Sequence, residues 1–267
     1  MMRISRRGPA YFLAGLFSLL LFLILTLPAY WADRWLQRAA QGSVRIQEPA
    51  GTLWNGSGTL VVQNLGQELM RAKIAWAVQP WWLFTGKLGA AVTARDSSTP
   101  LTASIRLGYR YLSLHAVDAT VPAGAAAAFH PAVGLLAPSG RLQITSEQAT
   151  LTPAGLEGGL QLTWLGAGAR ISGLSELGDY RLVVTGQGAS ADLRVETLRG
   201  DVGVRAQGSW QTQGEGLVQL SGTVAPGSRE QALRPLLAMM NAQNNNGQYS
   251  WALNNRFPLT QIFGATP

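Results

Sequence analysis

The sequence contains no cysteine among its 267 residues. That excludes disulfides, thiolate zinc, iron–sulfur ligation and a cysteine nucleophile. Histidine is nearly as scarce: His115 and His130 are the only two, which leaves little for metal binding or acid–base work. Charged residues make up 13% of the chain, about half the usual quarter. Apolar residues, at 47%, are ordinary in number, so this is not a charge-rich disordered chain. These shortages argue against an enzyme, and no cofactor is expected.

The formal net charge is +7. Its sources are 19 Arg and only Lys73 and Lys87, scattered singly and often between apolar neighbours. No basic stripe interleaved with aromatics is present, so nucleic acid is not an expected partner. A solvated, mildly basic surface accounts for the balance.

One uncharged stretch interrupts this composition. From Gly8 to Ala32 there is no charged residue. Ala10 to Ala32 is 23 residues, about 34 Å as a helix and enough to cross a bilayer core of about 30 Å. Backbone groups in lipid need partners within the segment, so a transmembrane helix is predicted at 10–32, with Pro28 near its far end. Arg3, Arg6 and Arg7 precede it. The positive-inside bias therefore places the tail 1–9 in the cytoplasm and the remainder outside it. Tyr30, Trp31 and Trp35 fall where amphipathic rings prefer the headgroup layer. A cleavable signal peptide is the competing reading, but the apolar core is longer than usual and bulky Tyr30 and Trp31 would flank a cut after Ala32. An uncleaved anchor is expected, followed by a juxtamembrane segment, 33–48, whose part 32–41 continues as a short amphipathic helix.

Beyond it, period-two alternation predicts strands. In Met70–Val78, Met70, Ala72, Ile74, Trp76 and Val78 share one face, with Arg71 and Lys73 on the other. The same pattern recurs around Leu101–Leu107, Leu112–Ala116, Arg141–Thr145, Leu156–Leu165, Tyr180–Gln187, Ala191–Leu198, Asp201–Trp210 and Gly216–Val224. Short Gly-containing links favour antiparallel neighbours, and alternation favours one buried face. Two short helices are predicted at Gly124–Leu136 and Ser228–Met240, the second with Ser228 as N-cap. Asn241–Gly247 reads as a polar loop and Gly264–Pro267 as a frayed end.

A duplication is legible. Val121-Pro-Ala-Gly124 and Val224-Ala-Pro-Gly227 each precede a helical segment with a proline and a Leu-Leu pair. Two β-modules, 49–139 and 140–267, each with a short helix, account for the spacing. The fold class is mainly β: a single transmembrane helix and an antiparallel sheet domain on the periplasmic side.

The sharpest local motif is Glu48-Pro-Ala-Gly-Thr-Leu-Trp-Asn-Gly-Ser-Gly-Thr-Leu60. It reads as a strand, a tight turn at Asn55-Gly56 and a second strand, with Trp54 as an apolar plate. A phosphate cradle would need a following Lys-Ser/Thr and a helix, and has neither. The anchor, residues Gly51, Thr52, Leu53, Trp54, Gly56 and Gly58, the Trp-containing strand Lys73–Val78, and the closing Pro235-Leu-Leu-Ala and Gly247-Gln-Tyr-Ser-Trp251 together resemble the type II secretion system protein N (general secretion pathway protein N) family. The resemblance implies a non-catalytic component of a Gram-negative inner membrane, supporting assembly of a machine that exports folded proteins from periplasm to exterior. The partners it implies are other proteins of that machine and inner-membrane lipid, with no small-molecule substrate.

Chemistry-bearing residues offer little else. A Ser57–His115–Asp118 set has no nucleophile elbow around it, and Glu147, Glu157 and Glu176 show no sign of convergence. Trp81, Trp82 and Phe84 in Pro80-Trp-Trp-Leu-Phe84 are read first as a roof over the core. The functional alternative is a partner or membrane contact. An alternative function is a tethered lipid-binding or lipid-transfer module, whose sheet would shield acyl chains.

Overall fold

The computed structural model describes residues 8–64, 66–94, 100–128, 133–134, 137–169 and 174–257. His130, the Leu135-Leu136 pair and the C-terminal end lie outside them. The uncharged stretch forms a helix, α1 (Gly8–Leu25), which stops before Pro28. Proline supplies no N–H and cannot continue the ladder. A second helix, α2 (Tyr30–Ala39), begins just after it. The expected single helix over 10–32 is thus two helices with a break at 26–29. Among the described residues, no helix is long and apolar enough to cross a membrane.

Among the described residues fourteen strands follow: β1 (Val44–Gly51), β2 (Asn55–Asn64), β3 (Gln67–Gln79), β4 (Lys87–Ala94), β5 (Leu101–Gly108), β6 (Tyr111–Pro122) and β7 (Pro138–Thr152) come first. Then come β8 (Gly155–Ala169), β9 (Leu174–Gly188), β10 (Ser190–Arg199), β11 (Gly203–Gln211), β12 (Leu217–Ala225), β13 (Gln243–Asn245) and β14 (Gln248–Arg256). All belong to one sheet, each strand beside its sequence neighbour except at the end, where the order is β12-β14-β13. Every pairing is antiparallel. The expected module boundary at 139/140 falls at the start of β7, which pairs with both β6 and β8, so the sheet is continuous there.

The register aligns the alternation of separate strands into one surface. A single row crosses twelve strands: Gly58, Ile74, Ala94, Leu101, Ala119, Ile144, Leu162, Leu182, Val195, Ala206, Gly222 and Trp251. No member is polar. The neighbouring row on the opposite face is mainly polar: Thr93, Thr102, Asp118, Thr145, Gln161, Arg194, Gln207 and Ser221 share it with Ala75, Val183 and Ala252. A one-residue slip anywhere would exchange the two faces.

The apolar face is covered at both ends. At one end α2 and the 3-10 helix Ala123–Ala128 lie over it: Val44, Val62, Met70, Ala72 and Ala125 pack with Leu36 and Ala128. At the other, α3 (Glu230–Met239) sets Leu233 and Leu237 against Val202, Val224, Tyr249 and Trp251. The helix expected at Gly124–Leu136 is that short 3-10 helix, with a helical turn at 133–134 as its other described part. Ser228 is not an N-cap; it lies within a 3-10 turn, Gly227–Arg229, that feeds α3. The expected loop 241–247 instead carries β13 and its turn, where Asn246 (φ 51°) and Gly247 (φ 83°) take the left-handed conformation a tight hairpin needs.

Candidate functional site: the helix-to-sheet junction

The motif residues meet the end of α1. The β1–β2 turn is closed by Thr52 and Asn55: the Thr52 N–H donates to the Asn55 carbonyl at 2.9 Å, and the Asn55 N–H donates to Thr52 Oγ1 at 3.0 Å. Leu53 and Trp54 are therefore the turn residues, and Asn55 already belongs to β2. This corrects the expected Asn55-Gly56 turn. Gly51 stands at φ 88°, where a side chain would also meet the Asn55 carbonyl. Gly56 and Gly58 leave room for the Trp76 ring and for Ile46.

This turn grips residues 24–29. Thr52 forms an isolated antiparallel bridge with Pro28. The Ala29 N–H donates to the Gly51 carbonyl at 3.2 Å, and the Leu53 N–H to the Leu27 carbonyl at 2.8 Å. Trp54 Nε1 donates to the Ile24 carbonyl at 2.8 Å. Trp76 Nε1, from β3, donates to the Leu53 carbonyl at 3.1 Å and holds the turn from beneath. Ala29, Leu53, Ile46, Ile74 and Trp76 are buried around the junction.

Asp33 completes it from α2. Its carboxylate is buried, accepting the Ile46 N–H of β1 at 2.7 Å and the Gln37 amide at 2.7 Å. β1 is an outer strand of the sheet, so Asp33 satisfies a donor that no strand pairs. Sequence reasoning missed both Asp33 and Ile24. The only direct signal was an acid, Asp33, closing an uncharged stretch with Gln37 one helical turn on. The Ile24 carbonyl was marked only indirectly, by Pro28 four residues on, which has no N–H to give it.

Exposure divides the aromatics. Tyr30, Trp31 and Trp35 project from α2 with 53%, 41% and 53% of their surface exposed, and the Arg34 guanidinium lies over the Tyr30 ring. Trp81 is 61% exposed, which overturns its reading as a roof over the core. Trp82 and Phe84 share its 3-10 turn, Pro80–Thr85; their side chains lie outside the described residues.

The candidate catalytic sets do not assemble. Ser57 is on β2 and His115 on β6, four strands apart, about 19 Å at the usual strand spacing. His115 Nε2 instead meets Ser113 Oγ at 2.8 Å, which in turn meets Thr150 Oγ1 at 2.9 Å. Glu157 pairs with Gln187 near one end of β9, while Glu176 lies near the other. Glu147 sits in a β-bulge of β7. Among the described residues, no group of three His, Asp or Glu can hold a metal ion. The phosphate-cradle alternative meets a turn already filled by Trp54 and followed by a strand.

What this junction builds is a structural connector: a helix exit wired into an antiparallel sheet. Residues 42–252 match the family model described as type II secretion system (T2SS), protein N, and the chain belongs to that family. It is thus a component of the type II secretion system. Comparisons with curated proteins and with solved structures return no match.

Proposed function

We propose that the chain is a non-catalytic inner-membrane scaffold of the type II secretion machine, with α1 in the bilayer and the sheet on the periplasmic side. The observation that carries this reading is the junction: the family motif Gly51–Gly58 closes on the last turn of an uncharged helix. From Tyr11 to Leu25 the side chains of α1 are exposed apolar groups with scarcely a polar atom. Such a surface is at home in hydrocarbon and costly in water. At 18 residues, α1 is about 27 Å long, and local bilayer thinning accommodates the remaining few ångströms. Tyr30, Trp31 and Trp35 then lie at the headgroup level.

For partners, the described residues offer a free border at the β13 end of the sheet. β1 has its outer edge occupied at Ile46 by Asp33 and at Gly51 by Ala29, whereas β13 is exposed along its three residues. A partner strand can add there through backbone hydrogen bonds. The test is a photo-crosslinking residue at Gln243 in cells carrying the whole machine, together with protease treatment of spheroplasts. Cross-links to machine proteins and digestion of the sheet in intact spheroplasts are expected. A sheet protected until lysis, or secretion unchanged when the protein is deleted, overturns the reading.

A second reading, lipid carriage, is favoured by the twelve-strand row without a polar residue. Between its two helical covers this face leaves aliphatic side chains such as Ile144, Leu162 and Leu182 half-buried. Acyl chains need no hydrogen bonds from such a surface. Purified protein that yields no copurifying lipid by mass spectrometry removes this reading and leaves the scaffold untouched.

A further inference from the structure

We propose that the β3–β4 and β5–β6 turns form a patch that lies on the headgroup layer of an anionic bilayer. The proposal rests on the reading of α1 as the anchor, and it adds a lipid contact made by the sheet itself.

In a meander, alternate turns fall on the same border of the sheet. Here the β1–β2, β3–β4 and β5–β6 turns share the border that Trp54 ties to Ile24. The contacts run without a gap. The Val78 N–H at the end of β3 donates to the Trp54 carbonyl at 2.6 Å. Lys87, at the start of β4, pairs with Gly108 at the end of β5. Helix exit and both turns therefore form one continuous surface.

Its composition fits lipid headgroups. Trp81 is 61% exposed, Leu107 45% and Tyr109 88%. Lys87 Nζ sits 4.4 Å from the centre of the Tyr111 ring. Residues 79–88 and 107–112 contain Lys87 and Arg110 and no acid. By contrast, Glu68 and Asp201 stand beside turns on the opposite border, exposed to solvent. Amphipathic rings with interspersed cations are the composition that partitions to an anionic interface. A globular partner is the less favoured occupant, because a helix leaving this border for the bilayer brings lipid to it first.

The absence of cysteine makes the test direct. Single-cysteine chains Phe22→Cys, Gln67→Cys and Tyr109→Cys are labelled with a fluorophore and reconstituted, full length, into vesicles of phosphatidylethanolamine and phosphatidylglycerol. All three positions are exposed, so the labels leave the fold intact. Nitroxide lipids report depth. The label at 109 is expected to be quenched several-fold more strongly by headgroup nitroxide than the label at 67, on the opposite border. That difference shrinks when neutral lipid replaces phosphatidylglycerol. The label at 22 is expected to be quenched by acyl-chain nitroxide. If 22 is quenched but 109 no more than 67, the patch is wrong and the anchor stands. If 22 is not quenched, the anchor fails and takes the patch with it.

Discussion

The indole N–H of Trp54 donates to the backbone carbonyl of Ile24 at 2.8 Å. In a continuous helix that carbonyl would accept from residue 28, but residue 28 is proline and has no N–H to give. Leu27 reaches the same oxygen only at 3.3 Å. A break in the helix and a tryptophan in a distant turn thus answer each other.

Trp54→Phe keeps the ring and removes the donor. A lost hydrogen bond of this kind costs about 1 kcal/mol, more where the acceptor is left without water. The sheet should keep its unfolding midpoint in urea. The orientation of α1 should not: spin labels at Phe22→Cys and Gln67→Cys should give a broader distance distribution than with Trp54 present. An unchanged distribution would mean that the Thr52–Pro28 bridge suffices alone.

Asp33→Ala orphans the buried Ile46 N–H. The expected cost is about 1–3 kcal/mol in urea unfolding. Asp33→Asn retains an acceptor oxygen and should recover most of it. Equal loss in both variants would assign the effect to charge rather than to the hydrogen bond.

Gly222→Ala places a methyl against the Arg205 carbonyl and the Ala206 side chain. Overpacking of this kind costs about 1–3 kcal/mol. Gly203→Ala, whose added carbon would find its nearest neighbour at 3.5 Å, should be tolerated. Thermal melts of the two variants side by side decide the matter.

Alkaline pH should loosen the second half of the sheet. Burial, with Asp179 adding to it, pushes the Tyr180 phenol from 10.0 up to about 12, and its hydroxyl donates to the Val202 carbonyl at 3.1 Å. The folded state favours the neutral phenol, so this stabilisation is complete below pH 10 and is lost as the pH rises toward about 12. Tyr249, raised by its hydrogen bond to Glu230, acts in the same sense. The urea midpoint should therefore fall less steeply over that window in Tyr180→Phe than in the unaltered chain. Parallel slopes would show that Tyr180 plays no part.

Much of this was legible beforehand where a signal was local and repeated. The alternation in Met70–Val78 named the buried face of β3 correctly, and the same period located most other strands. What failed was local punctuation set by distant partners. Trp54 is no turn former, yet it occupies the turn because Ile24 and Val78 hold it there. The Asn-Gly signal was sound chemistry at the wrong place: Asn246-Gly247 makes the hairpin, while Asn55 is drawn into β2 by its bonds to Thr52. The break at 26–29 had a signal in Pro28, but a proline near the end of an apolar run does not say that a second helix starts just after it. What fixes the break is legible only in the structure, where Thr52 bridges Pro28.

The strand order carries a consequence for synthesis. Each strand up to β12 finds its partner in the segment made just before it, so no part of the sheet must wait for a remote one. A sheet paired neighbour to neighbour folds faster than one whose strands must find remote partners, and it exposes few unpaired borders along the way. As the residues after α2 leave a narrow pore, β1 first, the sheet can therefore zip into shape stepwise. Only the closing hairpin, which adds β14 before β13 against β12, requires the tail to be free.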